Sequence, residues 1–144
     1  MNRDFTVHRF QVPINCNKAT SGNSGKVQDK EEIYYDCGLL ILPDFYTDTG
    51  APTRLVINCH GAGGTVETDD SQIEKQILAK YLIANGFAIM DVNGLPKELS
   101  EKEGIDIRNN VGSPIALQSY IKAYHYCMEN FNLKKDVFVD DSRL

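Results

Sequence analysis

Leu55-Val56-Ile57-Asn58-Cys59-His60-Gly61-Ala62-Gly63-Gly64 joins a short apolar run to a turn rich in glycine. The aliphatic and β-branched residues up to Cys59 fit a buried strand. The glycines stop that strand, allow positive φ and let main-chain N–H groups converge. A strand that ends in such a turn ahead of a helix opens a parallel crossover unit.

Downstream the same rhythm continues. Ser71 to Asn85 sets Ile73, Ile77, Leu78, Tyr81 and Leu82 on one face at helical spacing, with Ser71 and Glu74 as a capping box and Gly86 as the left-handed stop. Phe87 to Val92 reads as a strand buried on both faces, as parallel strands are. Asn93 to Gly112 forms a long polar connection with a short helix over Lys97 to Lys102. Ser113 as cap and Pro114 in the first turn open another helix, whose stripe of Leu117, Tyr120, Ile121, Tyr124, Cys127, Met128 and Phe131 is expected to pack on the sheet. Val137-Phe138-Val139 reads as a closing strand.

Upstream, Phe5 to Val12 alternates and Ile33 to Leu42 is strand-like, closed by Pro43, with a polar loop from Asn15 to Lys30 between them. Residues 1–50 are thus leading β-strands and 54–144 a strand and helix alternation within one domain. The predicted fold class is α/β, a three-layer sandwich with a mostly parallel sheet.

Composition narrows the function. The 144 residues carry 20 acidic against 15 basic side chains, a net charge of −5, and no basic cluster suited to nucleic acid. No apolar run reaches the roughly 18 residues that span a bilayer. Cys16, Cys37, Cys59 and Cys127 are widely spaced, with no CxxC pair and only three histidines, so no metal and no cofactor is expected. Cys59 and Cys127 read as small buried hydrophobes. Location stays open: cytoplasmic if Met1 is the native start, secreted or periplasmic if a leader was removed.

The turn His60-Gly61-Ala62-Gly63-Gly64 after an apolar strand resembles the His-Gly-x-Gly-Gly turn of the α/β-hydrolase family, the loop after the third strand that supplies part of the oxyanion hole. The resemblance runs from about Phe5 to Val139, as an incomplete α/β-hydrolase-like fold. It implies an oxyanion role for the N–H of Ala62 first, with Gly61 and Gly63 beside it, and a structural role for His60 and Gly64 in shaping the loop. It also calls for a GxSxG elbow after the fifth strand. Ser142 falls near the nucleophile position, but Asp140 and Leu144 stand where glycines belong. None of His8, His60 and His125 reads as the general base, because they lie on a strand, in the turn and on a helix.

The resemblance therefore implies the first half of a serine-dependent ester or acyl hydrolase, truncated near the elbow and without hydrolase activity alone, acting in its complete form on a small ester or acyl substrate. The alternatives are a non-catalytic binding or oligomerising module and, behind it, a nucleotide-binding α/β domain. A sheet ending at Val137 to Val139 would leave an edge open, which predicts a homo-oligomer or strand-swapped dimer. Against a dinucleotide site, Val66 replaces the third glycine of GxGxxG and the helix opens late, so Asp91 reads as a strand-end polar residue. Ser21-Gly22-Asn23-Ser24-Gly25-Lys26 fails both the Walker and the GxSxG patterns and reads as a plain connection. Asp48-Thr49-Gly50 occurs once, without the second copy an aspartic-protease pair needs, and reads as a turn.

Overall fold

The computed structural model describes residues 5–16, 32–61, 63–67, 76–106, 108, 110 and 112–135. The opening strands are longer than their alternation suggested: β1 spans Phe5–Asn15 and β2 spans Ile33–Pro43. They pair antiparallel along their full length, from Phe5 opposite Pro43 to Asn15 opposite Ile33. Gly38 faces Phe10 across this ladder, and a Cβ there would collide with the Phe10 ring, which stacks on Tyr126 at 4.1 Å. The glycine is what lets the aromatic pair lie across the strand.

Next come β3 (Arg54–Ile57), α1 (Ile77–Ala84) and β4 (Phe87–Val92). They are followed by α2 (Lys97–Glu103) and α3 (Pro114–Asn130). The strands form one sheet in the order β1-β2-β4-β3. β2 runs antiparallel to both β1 and β4, and only β3 and β4 are parallel.

The mostly parallel three-layer sandwich expected from sequence is therefore incorrect, and the incomplete α/β-hydrolase-like fold framed in those terms falls with it. Strand-helix-strand alternation specifies one parallel pair per crossover, and these strands contain a single such crossover, β3-α1-β4. The apolar run of β4 reflects a central position and not the direction of its neighbours. Ala88 to Val92 are buried because β4 lies between β2 and β3 with side chains packed on both faces, whatever the direction of its neighbours.

Two apolar clusters hold the sheet. In one, Phe10, Val12, Ile14, Leu40, Leu42, Ala88, Met90 and Val92 pack with Leu99 of α2 and with Ile115, Ala123 and Cys127 of α3. In the other, Cys37, Leu39, Ile41 and Ile89 pack with Ala79 and Ile83 of α1 and with Val66. Each fully buried aliphatic side chain contributes on the order of 1.5–3 kcal/mol.

The α3 stripe packs on the sheet through Tyr120, Tyr124, Cys127, Met128 and Phe131, but part of the apolar face marked on each helix is exposed. On α3 the buried residues are Ile115, Ala116, Ser119, Ala123 and Cys127, while Leu117 and Ile121 are exposed. Small side chains at i, i+4 spacing let the helix approach the sheet, and the larger Tyr120, Tyr124, Met128 and Phe131 flank the contact. On α1, Ala79 and Ile83 are buried, Leu82 is partly buried, and Ile77, Leu78 and Tyr81 are exposed. Ile73, the Ser71 and Glu74 box, the Ser21 to Lys26 loop and the Val137 to Val139 strand lie outside the described residues.

Several local signals act as read. Ser113 Oγ accepts the Ala116 N–H at the start of α3, with Pro114 behind it, and Gly86 has φ 86° after α1. Past α3, Leu133 forms an isolated parallel bridge with Thr53, through Thr53 N–H to Asn132 O at 3.0 Å and Lys134 N–H to Thr53 O at 2.8 Å. Asp48 and Gly50 lie in a turn, where Asp48 accepts from the Tyr46 hydroxyl and Gly50 N–H donates to Thr47 Oγ1. No helix among the described residues is long and apolar enough to cross a membrane.

Candidate functional site

The parallel pairing of β3 with β4 brings the ends of both strands to one place. Asn58 N–H extends the ladder to Met90 O at 2.8 Å, and the chain then leaves the sheet as Cys59-His60-Gly61. Beside it, β4 ends at Val92 and turns through Asn93 and Gly94, with Gly94 at φ 84°. The start of α3 closes the third side. Among the described residues, Cys59, His60, Gly61, Gly63, Asn93, Gly94, Asn110, Gly112, Ala116, Leu117 and Tyr120 line a cavity of about 360 Å³. This is near the lower end of the range for small-molecule sites, roughly 300–1,000 Å³.

His60 fixes the turn. Its Nε2–H donates to Val92 O at 2.8 Å, with Asn93 O at 3.2 Å. Gly61 O lies 2.9 Å from Nδ1. Carbonyl oxygens only accept, so Nε2 carries a hydrogen and is not open to take a proton from a nucleophile. Gly64 N–H returns to Gly61 O at 3.0 Å and closes the loop. Gly64 is required by crowding, since a Cβ there would lie 2.6 Å from His60 Nδ1. Gly63 has φ 81°, a conformation that favours glycine.

Among the described residues, the N–H groups of Gly61 and Gly63 have no hydrogen-bond partner, and both residues are exposed at the cavity. Ala62, read as the first donor, and Ser142, read as the nucleophile candidate, lie outside the described residues. The other two histidines are remote from the cavity lining. His8 packs against Phe131 with ring centroids 5.1 Å apart, and His125 packs against Tyr124 at 5.6 Å.

Beneath the turn sits Asp91, fully buried rather than a simple strand-end polar residue. Its Oδ2 accepts from Asn58 Nδ2 at 2.6 Å, and its Oδ1 accepts from the Tyr120 hydroxyl and the Val92 N–H, each at 2.8 Å. Burial raises its pKa, and Asn58, the charge of His60, Tyr120 and the Val92 N–H oppose that rise. Burial raises the Tyr120 phenol too, reinforced by the neighbouring carboxylate. Sequence reading missed this triangle because its members lie 29 and 33 residues apart. The available signal was an aspartate inside the apolar run Phe87 to Val92.

A second buried carboxylate supports the opposite wall. Asp36 Oδ2 accepts the Gly94 N–H at 2.8 Å, while Asp36 Oδ1 and Ser119 Oγ, both buried, close no hydrogen bond. Burial lifts Asp36 to about 6, against the lowering influence of the Gly94 N–H, nearby Ser119 and the Cys37 N–H, with Glu67 raising it further. Asn93 completes the wall: its Oδ1 accepts from Val66 N–H and Thr65 Oγ1, and its Nδ2 donates to Glu67 Oε1 at 2.7 Å.

Cys59 corrects a further expectation. It is exposed at the cavity, whereas Cys16, Cys37 and Cys127 are buried, and all four thiols are free. Burial raises Cys37 to about 11 and Cys127 to about 12, which leaves those thiols inert. Among the described residues, no cluster of three His, Cys, Asp or Glu side chains is placed to hold a metal ion. No protein family, curated protein or solved structure matches the chain.

Proposed function

We propose that the His60 to Gly64 turn binds and polarises the carbonyl oxygen of an ester or acyl compound, as the oxyanion-donating part of a serine-dependent acyl hydrolase site. The observation that carries this reading is the pair of unpartnered main-chain N–H groups, Gly61 and Gly63, at the mouth of a cavity and on a loop anchored by His60. Donors fixed before the reaction stabilise negative charge as it develops on the carbonyl oxygen, without the cost of reorienting solvent. The support is this local geometry together with the resemblance of the turn to that of the α/β-hydrolases, and it does not depend on a parallel sheet.

The chemistry is partial. His60 Nε2 is engaged with Val92 O, and neither His8 nor His125 lines the cavity, so no histidine takes the role of general base. Oxyanion donors and binding alone support only residual catalysis. The 144-residue chain is therefore expected to hydrolyse an activated ester such as p-nitrophenyl butyrate slowly. Gly61→Ala has no neighbour within 4 Å of the new Cβ and keeps the N–H. Gly61→Pro deletes the N–H. We expect the first to retain the residual rate and the second to lose roughly a hundredfold, the scale of removing one oxyanion donor. Equal rates in the two variants would refute the role of that N–H.

A second reading, binding without chemistry, is favoured by one observation: every polar side-chain atom of Asn93, Asn110 and Tyr120 on the cavity wall is engaged within the protein.

A further inference from the structure

The walls of the cavity specify what fits beside the turn. Of the lining side chains with polar atoms, His60 is held by carbonyl oxygens at both nitrogens. Asn93 and Tyr120 are held as described above, and Asn110 donates to Gly94 O while accepting from Ser113 Oγ at 2.6 Å. The remaining side-chain surface is Cys59, Ala116, Leu117 and the Tyr120 ring, between four glycines. Among the described residues, no Lys, Arg, Asp or Glu side chain lines the cavity.

Arg108 does not change this. Arg108 approaches Gly63 with its aliphatic stem, and its guanidinium is bound to Asp106 through three contacts of 2.6 to 3.0 Å. At the start of α3, Ser113 Oγ takes the Ala116 N–H and Pro114 has no N–H to offer. A carboxylate placed here would exchange part of its hydration for an apolar wall with no Lys or Arg to pair with. An apolar group would cover Leu117, which is 61% exposed despite its place on the wall.

We propose that this cavity receives the uncharged, compact, apolar acyl part of the ligand, a short aliphatic chain or a single phenyl ring, and discriminates against acyl groups that carry a charge. The assignment rests on the reading of the turn as a carbonyl-binding element, and it adds the class of acyl group to that reading.

Cys59 supplies a readout independent of catalysis, because it lies on the cavity wall and is the exposed cysteine of the four. The experiment measures the rate at which N-ethylmaleimide alkylates Cys59 in the 144-residue chain, located by peptide mass. The probes are methyl benzoate, methyl hexanoate and monomethyl terephthalate, which adds a carboxylate to the methyl benzoate frame. With the neutral esters at several times their dissociation constants, alkylation is expected to slow by roughly fivefold. Monomethyl terephthalate at the same concentration is expected to leave the rate unchanged. Leu117→Asp, at an exposed position that folding tolerates, is expected to abolish the protection by neutral esters.

Equal protection by the charged ester would overturn the proposal, as would absence of protection by both neutral esters or full protection persisting in Leu117→Asp. Methyl benzyl ether separates the two levels. If it protects as well as methyl benzoate, the apolar cavity stands and carbonyl recognition by the turn fails.

Discussion

The Tyr120 hydroxyl donates to Asp91 Oδ1 at 2.8 Å, which ties α3 to the end of β4 directly below the His60 turn. The Tyr120 ring forms cavity wall while its hydroxyl satisfies a fully buried carboxylate. One side chain thus links the packing of the helix to the shape of the site.

Tyr120→Phe keeps the ring and removes the donor. Asp91 Oδ1 then retains only the Val92 N–H. We expect a loss of about 1–3 kcal/mol in urea unfolding at neutral pH, the cost of weakening the satisfaction of a buried charged group. Losing the donor raises the Asp91 pKa further, so the folded variant takes up a proton more readily and the deficit should narrow as the solution is acidified.

Asp36 gives a pH dependence of defined sign. Its pKa is about 6 in the folded protein against an ordinary 3.8, so the folded state binds the proton more tightly between those values. Its contribution to stability is greatest at the acidic end, declines as pH rises from about 4, and levels off above about 6, an effect on the order of 3 kcal/mol at 1.36 kcal/mol per unit. Asp36→Asn keeps an acceptor for the Gly94 N–H and has no charge to desolvate. The stability of the variant relative to the parent should therefore increase between pH 4 and pH 7, and paired unfolding curves across that range measure it.

Ser119→Ala removes a buried hydroxyl that closes no hydrogen bond, in the middle of a helix. Alanine is the better helix former, but Ser119 also holds the Asp36 pKa down, so its loss raises that pKa further. We expect the variant to gain stability relative to the parent as the solution is acidified from about pH 7 to about pH 4, in paired urea unfolding curves with no change in slope.

Gly64→Ala and Gly61→Ala should differ sharply. At Gly64 the new Cβ would lie 2.6 Å from His60 Nδ1 and 3.1 Å from Gly61 O, whereas at Gly61 it meets nothing within 4 Å. We expect Gly64→Ala to cost about 1–3 kcal/mol by displacing the ring from the Val92 carbonyl, and Gly61→Ala to stay within about 0.5 kcal/mol of the parent. The ring-nitrogen chemical shifts of His60 report the displacement directly.

Elements whose signals are local were legible in the sequence. The Ser113 and Pro114 start of α3, the Gly86 stop and the apolar runs of β2 and β4 each depend on neighbours in the chain, and the structure places elements there. Strand direction was not legible, because Phe87 to Val92 is equally apolar whether its neighbour runs with it or, as β2 does, against it. Helix faces were legible only in part, for a related reason. Tyr120, Tyr124, Cys127, Met128 and Phe131 pack as their spacing suggests, whereas Leu117, Ile121, Ile77, Leu78 and Tyr81 are exposed, because close approach to the sheet selects Ala79, Ala116, Ser119 and Ala123. At the site, glycines and a histidine in sequence marked the turn. The Asp91, Asn58 and Tyr120 triangle and the Asp36 to Gly94 bond join separate elements through the fold and left only isolated polar residues in apolar runs as a trace.

The central claim is that the Gly61 and Gly63 N–H groups receive a carbonyl oxygen. It is tested most directly by titrating ¹⁵N-labelled protein with methyl benzoate and, in parallel, with methyl benzyl ether, which has a similar apolar body and no carbonyl. The account requires the Gly61 and Gly63 amide protons to move downfield with the ester and not with the ether, while resonances of Leu117 and Tyr120 respond to both. Identical responses of the two glycine amides to ester and ether, or no response to either, would contradict it.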